Sequence, residues 1–360
     1  MQLGAEVNRF RTQPGVGIVG LGYWGPNLLR VLMERPDVKV RCICDRDTER
    51  VKTIGRRYPS IRQTANLDEL LDDPAIDAVL LATPVQTHYD LASRCMEAGK
   101  HVFVEKPLAA SSVQASALIE RASDEGLALM CGHTFLYSPA VRAVKELIDS
   151  GELGEIYFIS ASRVNLGLHQ RDVSVVWDLG PHDLSILLYW LGAAPRTIRA
   201  TGRASIVPGI ADVAFIAMEF DSGVVANVEL SWLAPSKLRR TVIVGSRKMV
   251  VYEDGSAEPL RVFDCGIDYK DPDNFGEWHL SYRSGDIVSP HIPTYEPLAR
   301  QLGDFIRAVM TGEMPEYGLS LAEEVVRCAE AAETSLDDAG RQVILSEYGP
   351  TFGRRQQLAA

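Results

Sequence analysis

The chain places a lysine directly after an apolar strand, and this lysine is the first candidate for chemistry. Residues His101–Val104 are typical of a buried strand, and Glu105, Lys106 and Pro107 follow. In a parallel sheet the carboxyl ends of the strands open into the ligand crevice, so Lys106 is predicted to face bound ligands. Pro107 stiffens the turn and favours a cis peptide more than other residues do. The alternative is an exposed lysine that only ends a strand.

A glycine-rich loop near the amino end is the second candidate site. The segment Gly20–Gly25 reads Gly-x-Gly-x-x-Gly, between the predicted strand Val16–Val19 and a helical pattern over Asn27–Met33. In that context the glycines allow a tight turn, close approach of a pyrophosphate and close helix packing, while N–H groups at the helix start hold the phosphates. The loop residues assigned to cofactor binding are Gly20, Gly22, Tyr23, Trp24 and Gly25.

An acidic residue after the second strand indicates which cofactor binds. Asp45 follows the apolar run Val38–Cys44 and lies about 25 positions after Gly20, close to the spacing of a ribose-binding acid. A carboxylate there favours the free 2′-hydroxyl of NAD. Arg46 follows at once, and a guanidinium beside the ribose can accept a 2′-phosphate or stack on the adenine. NAD is therefore the predicted cofactor, and NADP stays open.

Two further strand ends are predicted to open into the same crevice. The strand Ala78–Leu81 leads to Thr83 and Pro84, and a helical pattern over His88–Ala98 ends at Gly99. For the histidine in the first turn of that helix, a solvated or capping role is the alternative. The residues assigned to cofactor contact at these edges are Thr83, Pro84, His88, Glu105 and Lys106.

An acid and a histidine four positions apart form the strongest catalytic candidate outside the cofactor half. Asp178 and His182 flank Gly180 and Pro181, residue types that mark a helix start. In a helical turn, side chains four positions apart share one face. The positive end of a helix disfavours an imidazolium, so we expect a neutral histidine that accepts a proton. Without Lys106, a capping acid beside an ordinary polar histidine is the alternative interpretation.

Four motifs of the chain occur together. They are Gly20–Gly25, Ala82–Pro84 with His88, Ala98–Pro107 and Asp178–Asp183. This combination resembles the Gfo/Idh/MocA oxidoreductases, a family named for glucose–fructose oxidoreductase and inositol dehydrogenase, over nearly the whole chain. The resemblance implies NAD(P)-dependent hydride transfer to or from a secondary carbinol of a sugar or cyclitol. It also implies that Lys106, Asp178 and His182 are the catalytic residues.

The roles of these three residues follow from their chemistry. In the favoured mechanism His182 removes the hydroxyl proton, Lys106 donates to the substrate oxygen and Asp178 tunes the pair. The first two roles can be exchanged, because a partly desolvated lysine beside the positively charged cofactor ring has a lowered pKa and can act as the base. Both assignments stay open.

The substrate class rests on the same resemblance. Trp177–Gly192, Tyr282–Ile287 and Glu296–Leu298 are most similar to the branch that oxidises or reduces C3 of a nucleotide-linked hexose, such as a UDP-N-acetylhexosamine, its uronate or a TDP-deoxyhexose. Guanidinium and amide groups are candidate donors to a diphosphate and to sugar hydroxyls. The predicted substrate contacts are Lys106, Phe135, Arg163, Asn165, Trp177, Asp178, His182 and Arg283.

Two alternative functions belong to different classes of protein. A dehydrogenase of free inositol or monosaccharides needs no groups that bind a diphosphate. An NAD(P)-binding sensor keeps the fold without turnover, and it has no need of an acid/base pair such as Lys106 and His182.

The order of elements predicts an α/β fold in two domains. Strand–helix alternation predicts a doubly wound parallel Rossmann sheet over residues 15–135. Over residues 136–346, strand patterns with hairpin turns predict an α+β domain with a large open antiparallel sheet. Residues 1–14 and 347–360 are expected to be flexible. The helices predicted in the second domain are Pro139–Ser150, Asp183–Leu191, Pro297–Met310 and Leu321–Ser335. They cover one face of its sheet, so the other face is expected to make homodimer or homotetramer contacts.

Composition narrows the class of protein. The 360 residues carry a formal net charge of −11, which argues against nonspecific binding to nucleic acid or to an anionic membrane. No apolar run reaches membrane-spanning length, and residues 1–14 lack the apolar core of a signal peptide or anchor. The six cysteines lack zinc spacing, so we expect reduced core thiols, no metal site and a cytoplasmic enzyme.

Overall fold

The computed structural model describes residues 13–167, 169–270, 279–314 and 318–348. The chain forms two compact units, each with its own sheet. The first unit contains the chain up to Tyr137 together with Glu296–Val326, and the second contains Ser138–Tyr295 with the chain from Arg327 onward. The predicted flexible segments fall almost entirely outside the described residues.

The first unit alternates strands and helices, as the sequence predicts. Its elements are β1 (Gly15–Val19), α1 (Gly25–Met33), β2 (Lys39–Cys44), α2 (Thr48–Gly55), β3 (Arg62–Thr64), α3 (Leu67–Leu71), β4 (Ala78–Leu81), α4 (His88–Glu97), β5 (His101–Glu105), α5 (Ser112–Glu125) and β6 (Leu129–Gly132). The strands form one parallel sheet in the order β3-β2-β1-β4-β5-β6. The strand order reverses between β1 and β4, so the ligand crevice is expected outside the carboxyl ends of these strands.

The second unit is built on a nine-stranded sheet. From α6 to β14, its elements are α6 (Pro139–Asp149), β7 (Ile156–Leu166), α7 (Val175–Leu191), β8 (Thr197–Arg203), β9 (Val213–Glu219), β10 (Val225–Ser231), β11 (Leu233–Gly245), β12 (Met249–Glu253), β13 (Leu260–Lys270) and β14 (His279–Val288). The sheet is mixed and not purely antiparallel, because β7 and β10 pair in parallel. The chain crosses over through α7 from β7 to β8, and the antiparallel pairs of β8 with β9 and of β9 with β10 then bring β10 beside β7.

Two helices and a short strand complete the chain. They are α8 (Pro297–Thr311), α9 (Leu319–Asp337) and β15 (Val343–Ile344), which pairs with β8 at the edge of the second sheet. The sequence predicts both helices in the second domain, but α8 and the first part of α9 group with the first unit. The reason is side-chain packing on the parallel sheet. Phe305 of α8 packs edge-on against Phe103 of β5, and Gln301 donates to the carbonyl of Cys131.

The described residues contain no helix long and apolar enough to cross a membrane. All six cysteines are free thiols, and five of them are buried as expected. Cys265 differs from the prediction because it lies on β13 near the sheet edge and is only half-buried.

Candidate active site

The glycine loop forms an open cradle at the end of β1. Gly20 has φ of +91°, and a Cβ there would lie 2.4 Å from the carbonyl oxygen of Ala82. A Cβ on Gly25 would lie 1.9 Å from the carbonyl oxygen of Gly20, so both positions require glycine. Gly22 is exposed, and a Cβ there would have as its nearest neighbour a guanidinium nitrogen of Arg50, 3.9 Å away. This free space lets a phosphate approach the backbone, as dinucleotide binding requires.

The start of α1 completes this phosphate-binding geometry. Trp24 is the N-cap residue, and its side chain accepts no hydrogen bond from the first N–H groups of the helix. Such N–H groups are suited to a phosphate. The neighbouring Tyr23 is exposed, and its ring packs edge-on against that of Trp24 with 5.8 Å between ring centroids. Contact of these two aromatic side chains with the cofactor stays a prediction.

Asp45 lies where a ribose-binding acid is expected, and it also braces the glycine loop. One carboxylate oxygen accepts the N–H of Leu21 at 2.6 Å, and the other accepts the N–H of Asp47 at 2.9 Å. The carboxylate is half-buried, while the side chain of Arg46 is exposed. The acid is therefore fixed beside the loop, in a position that fits the NAD prediction.

His88 has a different place from the one predicted. Its ring is 1% exposed, with Nδ1 2.8 Å from the carbonyl oxygen of Pro107 and Nε2 2.8 Å from that of Thr83. Both nitrogens are thus engaged by the protein, so the ring is not available for the predicted cofactor contact. Burial lowers the pKa of His88 although both carbonyls favour the protonated ring, and the charge of Lys106 adds to the lowering. Pro84 is exposed at the same edge.

Glu105 and Lys106 lie at the end of β5, and the peptide bond between Lys106 and Pro107 is cis. Lys106 is half-buried, whereas Glu105 is buried. Burial raises the pKa of Glu105 to about 7, and the nearby Lys106 opposes that rise. The Oε1 atom of Glu105 is buried and has no hydrogen-bond partner among the described residues. A buried polar atom without a partner at this strand end fits a ligand that supplies a hydrogen bond.

In the second unit, Asp178 and His182 lie on one continuous helix. Helix α7 begins at Val175 with Ser174 as N-cap, and it continues through Pro181. The predicted helix start at Gly180 is therefore wrong, because proline is tolerated inside this helix. His182 lies two turns from the N-terminus, so the helix dipole does not account for a neutral imidazole there. The four-residue spacing still places both side chains on one face.

The carboxylate of Asp178 is held by a residue that the motifs of the sequence did not indicate. The indole N–H of Trp232 donates to Oδ2 of Asp178 at 3.0 Å. The ring of His169 lies 5.3 Å from that of Trp232, between centroids. Buried polar atoms without partners in the described part of the chain lie on His169 (Nε2) and on the predicted substrate contact Asn165 (Oδ1). A tryptophan just after an alternating strand was the available signal, but the pattern did not show which acid it reaches.

Two predicted substrate contacts are engaged in ion pairs within the second unit. Arg163 and Asp183 form a buried ion pair, with side chains 4% and 6% exposed and a second hydrogen bond of 3.1 Å. The prediction for Arg163 is wrong, because its alternating position on β7 points it into the core. Arg283 pairs with Asp264 at 3.3 Å and donates to the carbonyl of Arg247.

The remaining predicted contacts are half-buried. They are Thr83 at the end of β4, Phe135 in the 3₁₀ turn after β6 and Trp177 in the first turn of α7. The first unit thus brings the glycine loop, Asp45 and Lys106 to the carboxyl edge of one sheet. The second unit brings together Asp178, His182 and Trp232. Within the described residues, no group of three His, Cys, Asp or Glu side chains has a geometry that could hold a metal ion.

Known proteins similar to this chain match both units. The profile of an oxidoreductase family with an NAD-binding Rossmann fold matches residues 15–133, and that of the Gfo/Idh/MocA C-terminal domain matches residues 141–251. The chain is 31% identical over 232 residues to scyllo-inositol 2-dehydrogenase (NAD(+)) of Bacillus subtilis, a match that covers 61% of this chain and 67% of that protein. It is 30% identical over 230 residues to UDP-N-acetylglucosamine 3-dehydrogenase of Acidithiobacillus ferrooxidans, which covers 62% and 69%.

A solved structure adds a bound cofactor to this comparison. The crystal structure of GenD2 from gentamicin A biosynthesis in complex with NAD matches with a TM-score of 0.79 and 25% sequence identity, covering 95% of this chain and 99% of that one. The two family profiles together span more than half of the chain. This protein therefore belongs to the Gfo/Idh/MocA family of NAD-dependent oxidoreductases.

Proposed function

We propose that this oxidoreductase moves a hydride between NAD and a secondary carbinol, at C3 of a nucleotide-linked hexose. The observation that carries the reaction type is the acid–histidine pair on α7, with Asp178 held by Trp232. Support for the substrate comes from the similarity to UDP-N-acetylglucosamine 3-dehydrogenase. A UDP-N-acetylhexosamine, its uronate or a TDP-deoxyhexose is the substrate class that we propose.

The residues of the chain have separate roles in this reaction. NAD, when bound, accepts or supplies the hydride. We propose His182 as the base that takes the hydroxyl proton. Asp178, on the same face of the helix, orients the imidazole and balances the charge that it gains. Lys106 donates a hydrogen bond to the reacting oxygen. The glycine loop and Asp45 hold the dinucleotide, and the carboxylate disfavours the 2′-phosphate of NADP.

A second candidate substrate is free inositol or another monosaccharide. The buried ion pair of Arg163 favours it, because this guanidinium cannot also bind a diphosphate. The similarity to scyllo-inositol 2-dehydrogenase supports the same alternative. A sensor without turnover is the remaining class, and Lys106 and His182 argue against it.

One experiment separates these functions. The protein is incubated with NAD and a panel of UDP- and TDP-hexoses, inositols and free sugars, and absorbance of reduced nicotinamide is recorded. The proposal predicts turnover with a nucleotide-linked hexose and none with myo-inositol. Oxidation of inositol without any response to sugar nucleotides assigns the protein to the second candidate. No turnover with any panel member, together with tight NAD binding, favours the sensor.

We also propose that the outward face of the second sheet binds a second copy of the chain, in a homodimer or homotetramer. Phe158 and Val225 are neighbours on β7 and β10, and both are exposed, as is Phe215 on β9. Exposed apolar side chains across adjacent strands are typical of an interface. Sedimentation velocity tests this proposal with Phe215→Glu, which should dissociate the oligomer. A monomeric unmodified protein contradicts it.

The free thiols also support a reducing, cytoplasmic location.

A further inference from the structure

The buried His88 ring lies between the two loops that follow β4 and β5. Its nitrogens are each 2.8 Å from a carbonyl oxygen, one of Thr83 after β4 and one of Pro107 after β5. The ring is 1% exposed, so it does not reach a ligand in the crevice. Pro107 directly follows Lys106, so the hydrogen bond acts on the turn that carries the lysine.

We propose that His88 is a positioning residue that fixes the turn bearing Lys106 relative to the loop after β4. This inference rests on the proposed catalytic role of Lys106. It assigns no ligand contact to His88 itself. The function of the ring is to hold the backbone from which the lysine side chain extends.

The hydrogen-bonding capacity of the turn supports this role. A carbonyl oxygen accepts only, and a neutral imidazole has one N–H, so the tautomer with the proton on Nδ1 donates its hydrogen bond to Pro107. Pro107 has no N–H, so its backbone bonds to the rest of the protein only through the carbonyl. A side chain that binds this carbonyl therefore limits how far the turn can shift.

The loop after β4 has a second brace that does not involve the Lys106 turn. The hydroxyl of Thr87 is 2.8 Å from that of Thr83 and donates to the carbonyl of Pro84 at 2.7 Å. Loss of the imidazole should therefore release the Lys106 turn more than the loop after β4. A displacement of about 1 Å at a catalytic group can slow a reaction on the order of 100-fold.

The first test measures the position of Lys106 without any substrate. Lys106 in ligand-free protein is labelled by reductive methylation, and the rate is read by peptide mass spectrometry against Lys145 and Lys248. We expect His88→Phe to change the labelling rate of Lys106 and to leave the other two unchanged. His88→Asn should restore the rate, because its carboxamide nitrogen lies about where Nδ1 lies and can donate to the carbonyl of Pro107.

A matched control perturbs another histidine of the first unit. His101 begins β5, and its Nδ1 accepts the N–H of Ala128 at 2.8 Å. His101→Phe removes a histidine hydrogen bond at the end of β5 away from the lysine. It should lower stability without changing the labelling rate of Lys106 or the turnover number. NADH binding, measured by fluorescence, should stay within about threefold of the unmodified protein in both phenylalanine variants, because the glycine loop is intact.

The second test asks whether His88 acts through Lys106. With NAD and the substrate that the panel identifies, His88→Phe should lower kcat on the order of 10- to 100-fold. In a Lys106→Met background the same change should cost less than about twofold, because the group that His88 positions is absent. A merely structural histidine would lower kcat by the same factor in both backgrounds.

The outcomes separate this inference from the proposed function. If Lys106→Met alone leaves turnover unchanged, the catalytic role of the lysine fails, while labelling still decides whether His88 holds the turn. Unchanged labelling of Lys106 in folded His88→Phe, or equal losses in both backgrounds, overturns the positioning role. If His88→Phe does not fold, His88→Gln replaces it, because its amide nitrogen lies about where Nε2 lies, so it keeps the bond to Thr83 and should change the labelling that His88→Asn retains.

Discussion

Asp45 braces the glycine loop, and we propose that the same side chain also selects the cofactor. Its carboxylate accepts N–H groups from Leu21 and Asp47, so it fixes the glycine loop to the turn after β2. The same fixed negative charge disfavours a 2′-phosphate. The sequence predicted the acid from its spacing, but not the bond to the loop, because that bond depends on where β1 and β2 end in space.

Replacing the charge of Asp45 should narrow the preference for NAD over NADP. Asp45→Asn keeps the size of the side chain and removes the repulsion of the 2′-phosphate. The dissociation constant for NADP(H) divided by that for NAD(H) should therefore fall by about tenfold or more. Calorimetric titration of NAD(H) and NADP(H) measures this ratio. Asp47→Asn, which can keep the N-cap of α2, is the control. Tighter binding of NADP(H) by the unmodified protein contradicts the assignment and favours Arg46.

Loss of the Trp232 hydrogen bond should slow turnover. Trp232→Phe removes the N–H that holds Asp178, so kcat should fall by about tenfold while the KM for NAD changes little. Trp190→Phe is a matched control, because Trp190 is also buried and donates to the carbonyl of Val141 at 2.9 Å. Both variants should lose stability. Equal kcat in the two variants would show that Trp232 has no part in positioning the acid.

The buried Glu105 should make stability depend on pH. Burial raises its pKa from 4.5 to about 7, so the folded protein holds this proton more tightly than the unfolded chain does. The protonated side chain makes its full contribution to the free energy of unfolding below about pH 4.5. As pH rises from there to about 7, the free energy of unfolding should fall by about 3 kcal/mol. Glu105→Gln removes this loss. Urea unfolding at pH 5 and pH 8 measures the free energy of unfolding of both proteins. The free energy of Glu105→Gln minus that of the unmodified protein should be larger at pH 8 than at pH 5. An equal difference at the two pH values contradicts the prediction.

At the scale of elements, periodicity predicted most strands and helices of both sheets. The exceptions have physical causes. Pro181 marked a helix start that lies six residues earlier, at Val175, because Ser174 caps the helix and the proline ring is accommodated within it. The parallel pairing of β7 with β10 depends on the crossover through α7 to β8 and on the return through β9, and no local pattern encodes it. The charge of Arg163 suggested a ligand contact. Its partner Asp183 is distant in sequence, so the sequence did not show that the charge is paired inside the protein.

The buried ion pair should hold β7 to α7 and should not bind substrate. Arg163→Met leaves the Asp183 carboxylate buried without its partner, which should lower the free energy of unfolding by about 3–5 kcal/mol. Adding Asp183→Leu should recover part of that loss. Denaturant unfolding measures both changes. A stable Arg163→Met variant with a much higher KM for a sugar nucleotide would restore Arg163 as a substrate contact.

At the scale of the whole molecule, each unit supplies a different part of the proposed chemistry. The first holds NAD and carries Lys106, and the second carries Asp178 and His182. The return of α8 to the first unit was not predictable from sequence. Its apolar face shows that the helix packs on another element, and the contacts of Phe305 with Phe103 and of Gln301 with Cys131 identify the parallel sheet. The nucleotide-linked hexose stays a proposal, because the motifs that suggested it do not specify which side chains come together around a substrate.

The most direct test of the central claim is the rate of NADH formation by His182→Asn, compared with Lys106→Met across pH. We predict that His182→Asn lowers kcat by about 10²–10⁴-fold, the usual loss for a general base, while the dissociation constant for NAD stays nearly unchanged. The acidic limb of the pH–rate profile should vanish in the His182 variant and persist in the Lys106 variant. The opposite pattern makes lysine the base. If neither variant is slowed by even about tenfold, catalysis does not use these two residues.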